Sequence, residues 1–142
     1  MIRLTGMFSL VGLVLLVAAC GGGATKSGLA VELGEWFVDP AISQVPNGQV
    51  TFTAINNGAV EHEFIVLKTD LAPDALVLSG DQVDEDASGT VIGRIEKGDL
   101  GPGTRANVTF RLDPARYVLF CNIPDHYSSG QMAGFRVFRL EF

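Results

Sequence analysis

The sequence predicts an all-β protein, an antiparallel β-sandwich of about seven short strands in one domain. Three observations support this. The length of 142 residues suits a single domain, and 17 glycines provide for many turns. Several short segments alternate apolar and polar residues with a period of two, and turn residues separate them. Outside the N-terminal region, no long stretch has the periodicity of a helix.

The predicted strands follow one another between clear turn signals. Asn47-Gly48 precedes one strand, Asn56-Asn57-Gly58 ends it, and Asp113-Pro114 turns the chain into another. Segment 72–79 fits either a strand or a short helix. The segments predicted as strands are 29–38, 49–55, 62–67, 90–96, 104–112, 117–120 and 133–142. Alternation places these side chains in the core: Val50, Phe52, Ala54, Ala106, Val108, Phe110, Leu112, Phe135 and Val137.

The N-terminal segment 1–19 has the features of a targeting signal. Arg3 supplies a positive charge, and 8–19 is an apolar run too short for a typical membrane span. The run ends in Val-Ala-Ala before Cys20, which resembles the bacterial lipobox, where the signal is cleaved and the cysteine is lipidated. Segment 20–28 then forms a flexible Gly/Ser tether to the domain 29–142. The alternative is an ordinary signal peptide or membrane anchor with an incidental cysteine.

This N-terminus predicts a protein of the bacterial cell envelope, outside the cytoplasm and held to a membrane by lipid. The formal net charge of -6 gives no basic surface for nucleic acid. Acidic residues cluster between Asp81 and Asp86. The cluster fits a solvated loop, and its alternative role is a docking patch for a basic redox partner.

The cysteine count draws attention to Cys121. Of the two cysteines, Cys20 is the lipidation candidate, so Cys121 has no partner for a disulfide. A lone thiol outside the cytoplasm fits either a buried inert residue or a metal ligand. His126 follows five residues later across Pro124, and this spacing favours a metal ligand.

The remaining donors complete a mononuclear copper site. His62 is the other histidine of the chain, and Gln131 and Met132 follow His126 by five and six residues. Two imidazoles, one thiolate and a weak axial donor form the blue-copper ligand set.

Three motifs within 29–142 resemble those of the cupredoxins, the type 1 copper proteins that include plastocyanin and azurin. Asn-Asn-Gly at 56–58 with His-Glu-Phe at 62–64 resembles the segment that supplies the first histidine. Leu-Asp-Pro-Ala-Arg-Tyr at 112–117 resembles the turn before the cysteine strand, with Ala115 where glycine is usual. Cys-Asn-Ile-Pro-Asp-His at 121–126 resembles the ligand loop, with Asp125 in place of glycine.

The resemblance implies an eight-stranded Greek-key sandwich that binds one copper ion through His62, Cys121 and His126 and transfers single electrons. The family usually places an axial methionine five residues after the loop histidine, where this chain has Gln131. Alternation with the inward Phe135 and Val137 favours Gln131, and Met132 is the alternative. Glu63, Asn122 and Asp125 are candidates for orienting the ligands.

The predicted function is electron transfer between redox proteins, without a small-molecule substrate and without enzymatic activity. One alternative is a copper-binding lipoprotein that stores or delivers the metal, although the chain lacks methionine-rich and histidine-rich tracts. The other alternative is a metal-free β-sandwich used for adhesion or ligand binding.

Overall fold

Short strands make up most of the regular structure of residues 28–141, which are the residues that the computed structural model describes. The predicted signal 1–19, the lipidation candidate Cys20 and nearly all of the tether lie outside them. Within 28–141, no helix has the length and apolar character needed to cross a membrane. The elements are β1 (Leu29–Gly34), β2 (Phe37–Pro40), β3 (Gln44–Pro46), β4 (Gly48–Asn56), β5 (Phe64–Lys68), β6 (Leu78–Ser79), β7 (Gln82–Val83), α1 (Glu85–Ser88), β8 (Thr90–Ile95), a 3-10 turn (Lys97–Asp99), β9 (Arg105–Leu112), β10 (Ala115–Phe120) and β11 (Met132–Phe138).

Two sheets face each other and confirm the predicted all-β sandwich. One has the order β2-β1-β4-β9 and the other the order β3-β11-β10-β5-β8, while β6 and β7 form a separate ribbon. Two strand pairs, β1 with β4 and β3 with β11, are parallel, so the sheets are mixed rather than wholly antiparallel. The described residues form more strands than the seven or eight expected, because β3, β6 and β7 are too short to show alternation.

The first predicted strand, 29–38, is in fact a hairpin. β1 and β2 pair antiparallel, with Leu33 opposite Val38 and Gly34 opposite Phe37, so that the chain reverses at Glu35 and Trp36. The Phe37 ring lies over Gly34, where a Cβ atom would come within 2.5 Å of it. This turn has no asparagine or proline to mark it, which is why alternation alone suggested a continuous strand.

The main core lies between the two sheets and contains the residues that alternation placed there. Phe52 of β4 packs against Phe64 of β5 and Phe135 of β11, with ring centroids 5.4 Å apart in both pairs. The inward positions of β4 and β11 are buried as predicted, and those of β9 pack against the same cluster. The sandwich is therefore held together by side chains from both sheets.

A second apolar cluster covers the outer face of the five-stranded sheet. It is formed by Ile65, Leu67, Leu76, Val83, Val118, Phe120 and Tyr127. Segment 71–88 supplies two of these side chains and contains β6, β7 and α1. Strands β5 and β10 are consequently buried on both faces, which fixes the start of β5, next to His62, and the end of β10, next to Cys121.

Candidate metal centre

Two neighbouring central strands bring the predicted ligands to one end of the sandwich. β5 and β10 pair antiparallel, so the start of β5 lies beside the end of β10. His62 precedes β5 and Cys121 follows β10, while His126 lies in the loop between β10 and β11. The Nδ1 atoms of the two histidines are 3.3 Å apart, and Cys121 Sγ is 3.4 Å from His126 Nδ1. The three ligand atoms all lie within 4.8 Å of one another.

Burial affects the protonation of His62 and Cys121. His62 and Cys121 are 0% exposed and His126 is 8% exposed. Burial lowers the pKa of His62, so its ring is neutral at neutral pH and has a lone pair for a metal ion. Burial raises the pKa of the Cys121 thiol to about 11, so a metal ion must displace the thiol proton.

The ligand loop 121–131 is held by its own backbone. His126 N donates to Ile123 O at 3.0 Å, and Gln131 N donates to His126 O at 3.1 Å. Asp125 has a φ of 67°, in the left-handed region that favours glycine, which accounts for the glycine usual at this position. Its side chain is exposed, while its backbone N–H donates to Asp81 O at 2.9 Å.

Gln131 lies beside both histidines, and Met132 does not. The Gln131 amide has Oε1 3.0 Å from His126 Nδ1 and Nε2 3.0 Å from His62 Nδ1. Its Nε2 also donates to the Gly34 carbonyl at 3.0 Å. The Met132 side chain packs against the second apolar cluster, on the other face of the sheet. Of the two axial candidates, the structure therefore brings Gln131 to the ligand group.

Glu35, at the tip of the β1–β2 hairpin, contacts His62 on the side away from the other ligands. Its carboxylate lies 3.1 Å from His62 Nε2 and accepts hydrogen bonds from Ala59 N and Val60 N. The backbone N–H of Ala59, the main cause, lowers the pKa of Glu35. Sequence reasoning missed this residue because it lay inside a predicted strand, 27 residues before the histidine it contacts.

Trp36, the next residue of the tip, packs on the other histidine. Its ring centroid is 4.9 Å from that of His126 in an edge-on arrangement. The indole ring is 45% exposed, so it forms part of the surface above the ligand group. Together, the residues at 34–36 contact His62, His126 and Gln131.

A buried asparagine shapes the loop that presents His62. Asn56 Nδ2 donates to Val60 O at 2.8 Å and Leu100 O at 2.9 Å, and Asn56 Oδ1 accepts from Gly58 N at 2.8 Å. These bonds explain the Asn-Asn-Gly motif: the first asparagine holds the loop. Gly58 lies against Glu35 and His62, where a Cβ would meet Glu35 Oε1 at 2.3 Å.

Glu63 and Asn122, two of the candidates for orienting the ligands, flank the cysteine. Glu63 N donates to Cys121 Sγ at 3.4 Å, and the Glu63 carboxylate accepts from Asn122 N at 3.1 Å. The Asn122 side chain accepts a hydrogen bond from Val83 N and donates to Val83 O and to the Glu85 carboxylate. Burial raises the pKa of Glu63.

The acidic segment 81–86 is folded onto the ligand loop through Asn122 and Asp125. Asp84 caps α1 by accepting from Ala87 N at 3.0 Å, and Glu85 pairs with Arg94. Only Asp81 and Asp86 of its acidic side chains are exposed.

The donor chemistry fits one copper ion. Two imidazoles and one thiolate, with an amide oxygen beside them, are the ligands of a type 1 centre. Each ring nitrogen can reach an ion at about 2 Å when the nitrogens are this close together. The prediction of one type 1 copper ion is confirmed by this buried group of three donors.

No protein-family model matches the chain, and no curated protein sequence matches it. Several solved structures do match the chain. Auracyanin from the photosynthetic bacterium Roseiflexus castenholzii is 25% identical with a TM-score of 0.57, and the match covers 76% of this chain and 94% of that one. Auracyanin A, a "blue" copper protein from Chloroflexus aurantiacus, is 22% identical with a TM-score of 0.50 over 78% of this chain and 99% of that one.

Rusticyanin from Thiobacillus ferrooxidans is 20% identical with a TM-score of 0.51, over 78% of this chain and 79% of that one. The predicted resemblance is confirmed by these structures. The described residues have the cupredoxin fold, and their buried His62, Cys121 and His126 fit a single type 1 copper ion.

Proposed function

We propose that this protein carries single electrons between redox partners, with one copper ion as its redox centre. The observation that carries the proposal is the buried group of His62, Cys121 and His126, held ready by the surrounding hydrogen bonds. Bound copper supplies the change of one electron between its two oxidation states. Auracyanin and rusticyanin have both been solved in reduced forms, which is consistent with a redox role for such a site.

Rigidity of the ligands supports the role of a carrier. Cys121 and His62 adjoin strands that are buried on both faces, and Asn56 holds the loop before His62. Ligands fixed in this way move little when the charge of the ion changes, which favours fast electron transfer. The same burial hinders the loss of the metal, which disfavours the alternative of storage or delivery.

His126 is the natural point of contact with a redox protein. It is the most exposed of the three ligands, and the exposed Trp36 ring lies against it. With Gln131 beside the three ligands, the donor set has no position set aside for a substrate, which favours a carrier over an enzyme.

We also assign the axial position to Gln131. The Gly34 carbonyl can only accept a hydrogen bond, so the amide nitrogen of Gln131 must be the atom that faces it, and the amide oxygen is then the atom 3.0 Å from His126 Nδ1. Replacing Gln131 by Met should raise the reduction potential, because a thioether stabilises oxidised copper less than an amide oxygen does. The control Met132→Leu should leave the potential unchanged. A potential that responds to Met132→Leu and not to Gln131→Met would refute the assignment.

The third part of the proposal is anchoring outside the cytoplasm through lipidated Cys20. It is supported by the small residues before Cys20 and the glycines after it. Mass spectrometry of the purified full-length protein should show a lipid on the first residue of the mature chain. Cys20→Ser should move the protein from the membrane fraction to the soluble fraction. If the wild-type protein carried no lipid and Cys20→Ser stayed in the membrane fraction, lipid anchoring would be contradicted. The carrier function and the role of Gln131 would be unaffected.

Voltammetry of the copper-loaded protein tests the carrier directly. A reversible wave of one electron, with fast exchange between oxidised and reduced protein, is the expected result. Copper that passes rapidly to a Cu(I) chelator, without a reversible wave, would instead indicate storage or delivery.

A further inference from the structure

We propose that Glu35 is a positioning residue of the copper centre, which fixes the ring and tautomer of His62 and whose charge favours the oxidised ion. Glu35 lies outside the three recognised motifs, because it comes from the tip of the β1–β2 hairpin. The inference rests on the copper site and not on the identity of any redox partner.

The Glu35 carboxylate is itself held in place. Its Oε1 accepts from Ala59 N at 3.1 Å and from Val60 N at 3.2 Å, and its Oε2 lies 3.2 Å from Ala59 N. The same Oε1 lies 3.1 Å from His62 Nε2. A carboxylate restrained by two backbone N–H groups can restrain the imidazole in turn.

This contact decides which ring nitrogen of His62 is free. An ionised carboxylate can only accept, so His62 Nε2 must carry the hydrogen and Nδ1 keeps its lone pair. Nδ1 is the atom that faces His126 Nδ1 at 3.3 Å, and Gln131 Nε2 donates to it at 3.0 Å. A carboxylate behind a metal-binding histidine makes the imidazole a stronger ligand.

The negative charge of Glu35 adds an electrostatic effect. The carboxylate lies on the far side of the His62 ring, and its side chain is 30% exposed, so water screens it only in part. A nearby negative charge stabilises Cu(II) more than Cu(I). Removing it should therefore weaken Cu(II) binding more than Cu(I) binding and raise the reduction potential.

The positioning role can be tested without metal. In the metal-free protein, the Nε2 proton of His62 should be visible by nitrogen-edited NMR in the wild type and in Glu35→Gln, whose amide oxygen can still accept. In Glu35→Ala the signal should be lost through exchange with water. A signal in Glu35→Ala as strong as in the wild type would overturn the positioning role.

The charge effect needs the copper-loaded protein and a matched control. Glu61 adjoins His62 in sequence, but its side chain is 51% exposed and faces Lys97 Nζ at 3.7 Å. Glu35→Gln should weaken Cu(II) binding about tenfold, which is the lower end of the range seen when a hydrogen-bond partner of a metal-binding histidine is removed. The change in Cu(I) binding should be much smaller. A tenfold change for one oxidation state corresponds to a rise in potential of about 59 mV.

Glu61→Gln removes the same charge and should leave the potential nearly unchanged. Equal shifts in the two variants would show that Glu35 acts only through net charge and would overturn the proposal. Slow electron exchange of the wild type would count against the carrier function, while the NMR result and the two affinities would still decide the role of Glu35.

Discussion

At the scale of the residue, the thiol proton of Cys121 links metal binding to pH. Burial raises its pKa to about 11, so the metal-free protein holds a protonated thiol at neutral pH. Binding must release this proton, and the apparent affinity should rise about tenfold per pH unit below that pKa. Calorimetry with Zn²⁺, which has no redox chemistry, in two buffers of different ionisation enthalpy should show about one proton released per ion.

Cys121→Ser serves as the control for this measurement and should abolish the release of the proton. Release close to zero in the wild type would mean that the thiol is already ionised, contrary to the effect of its burial.

Individual residues also show what the sequence could predict. The spacing of Cys121 and His126 was enough to favour a metal ligand, because only four residues separate the two side chains. Alternation along β11 favoured Gln131 over Met132, and the two side chains do point to opposite faces. Glu35 could not be predicted, since its importance arises only from a contact made across the fold.

The conformation of the loop between β4 and β5 depends on the side chain of Asn56. Its side chain is 0% exposed and makes three hydrogen bonds to the backbone, all of which Asn56→Ala removes. We expect a loss of about 1–3 kcal/mol in the free energy of unfolding of the metal-free protein. Copper affinity should fall as well, because the loop carries His62. Denaturant unfolding and metal titration measure the two effects.

The adjacent residue supplies a matched control. Asn57 is exposed, and its backbone N–H donates to Leu33 O at 2.8 Å, a bond that Asn57→Ala retains. The unfolding free energy of Asn57→Ala should stay within about 0.5 kcal/mol of that of the wild type. Equal losses in the two variants would contradict the assigned role of Asn56.

Elements differ in how well the sequence predicted them. β4, β9 and β11 show clear alternation because one face is buried and the other is not. Segment 72–79 gave no clear pattern because it is mostly irregular chain that lies over a sheet whose strands are buried on both faces. The hairpin at Glu35 was missed because the residues of its turn are not those typical of turns.

At the scale of the whole molecule, Phe52 joins the two sheets. It is 0% exposed and contacts aromatic rings from both β5 and β11. Phe52→Ala should lower the free energy of unfolding by about 3–5 kcal/mol because it leaves a cavity between the sheets. Phe37→Ala, at a ring 40% exposed, should cost much less. Urea unfolding of the two variants compares them, and similar losses would argue against a core centred on Phe52.

The visible absorption spectrum of residues 28–142 loaded with Cu(II) tests the copper centre most directly. We expect an intense charge-transfer band from thiolate to copper, which bleaches on reduction and is lost in Cys121→Ser. Copper bound without this band, or with a band that persists in Cys121→Ser, would contradict a type 1 centre built on Cys121, His62 and His126.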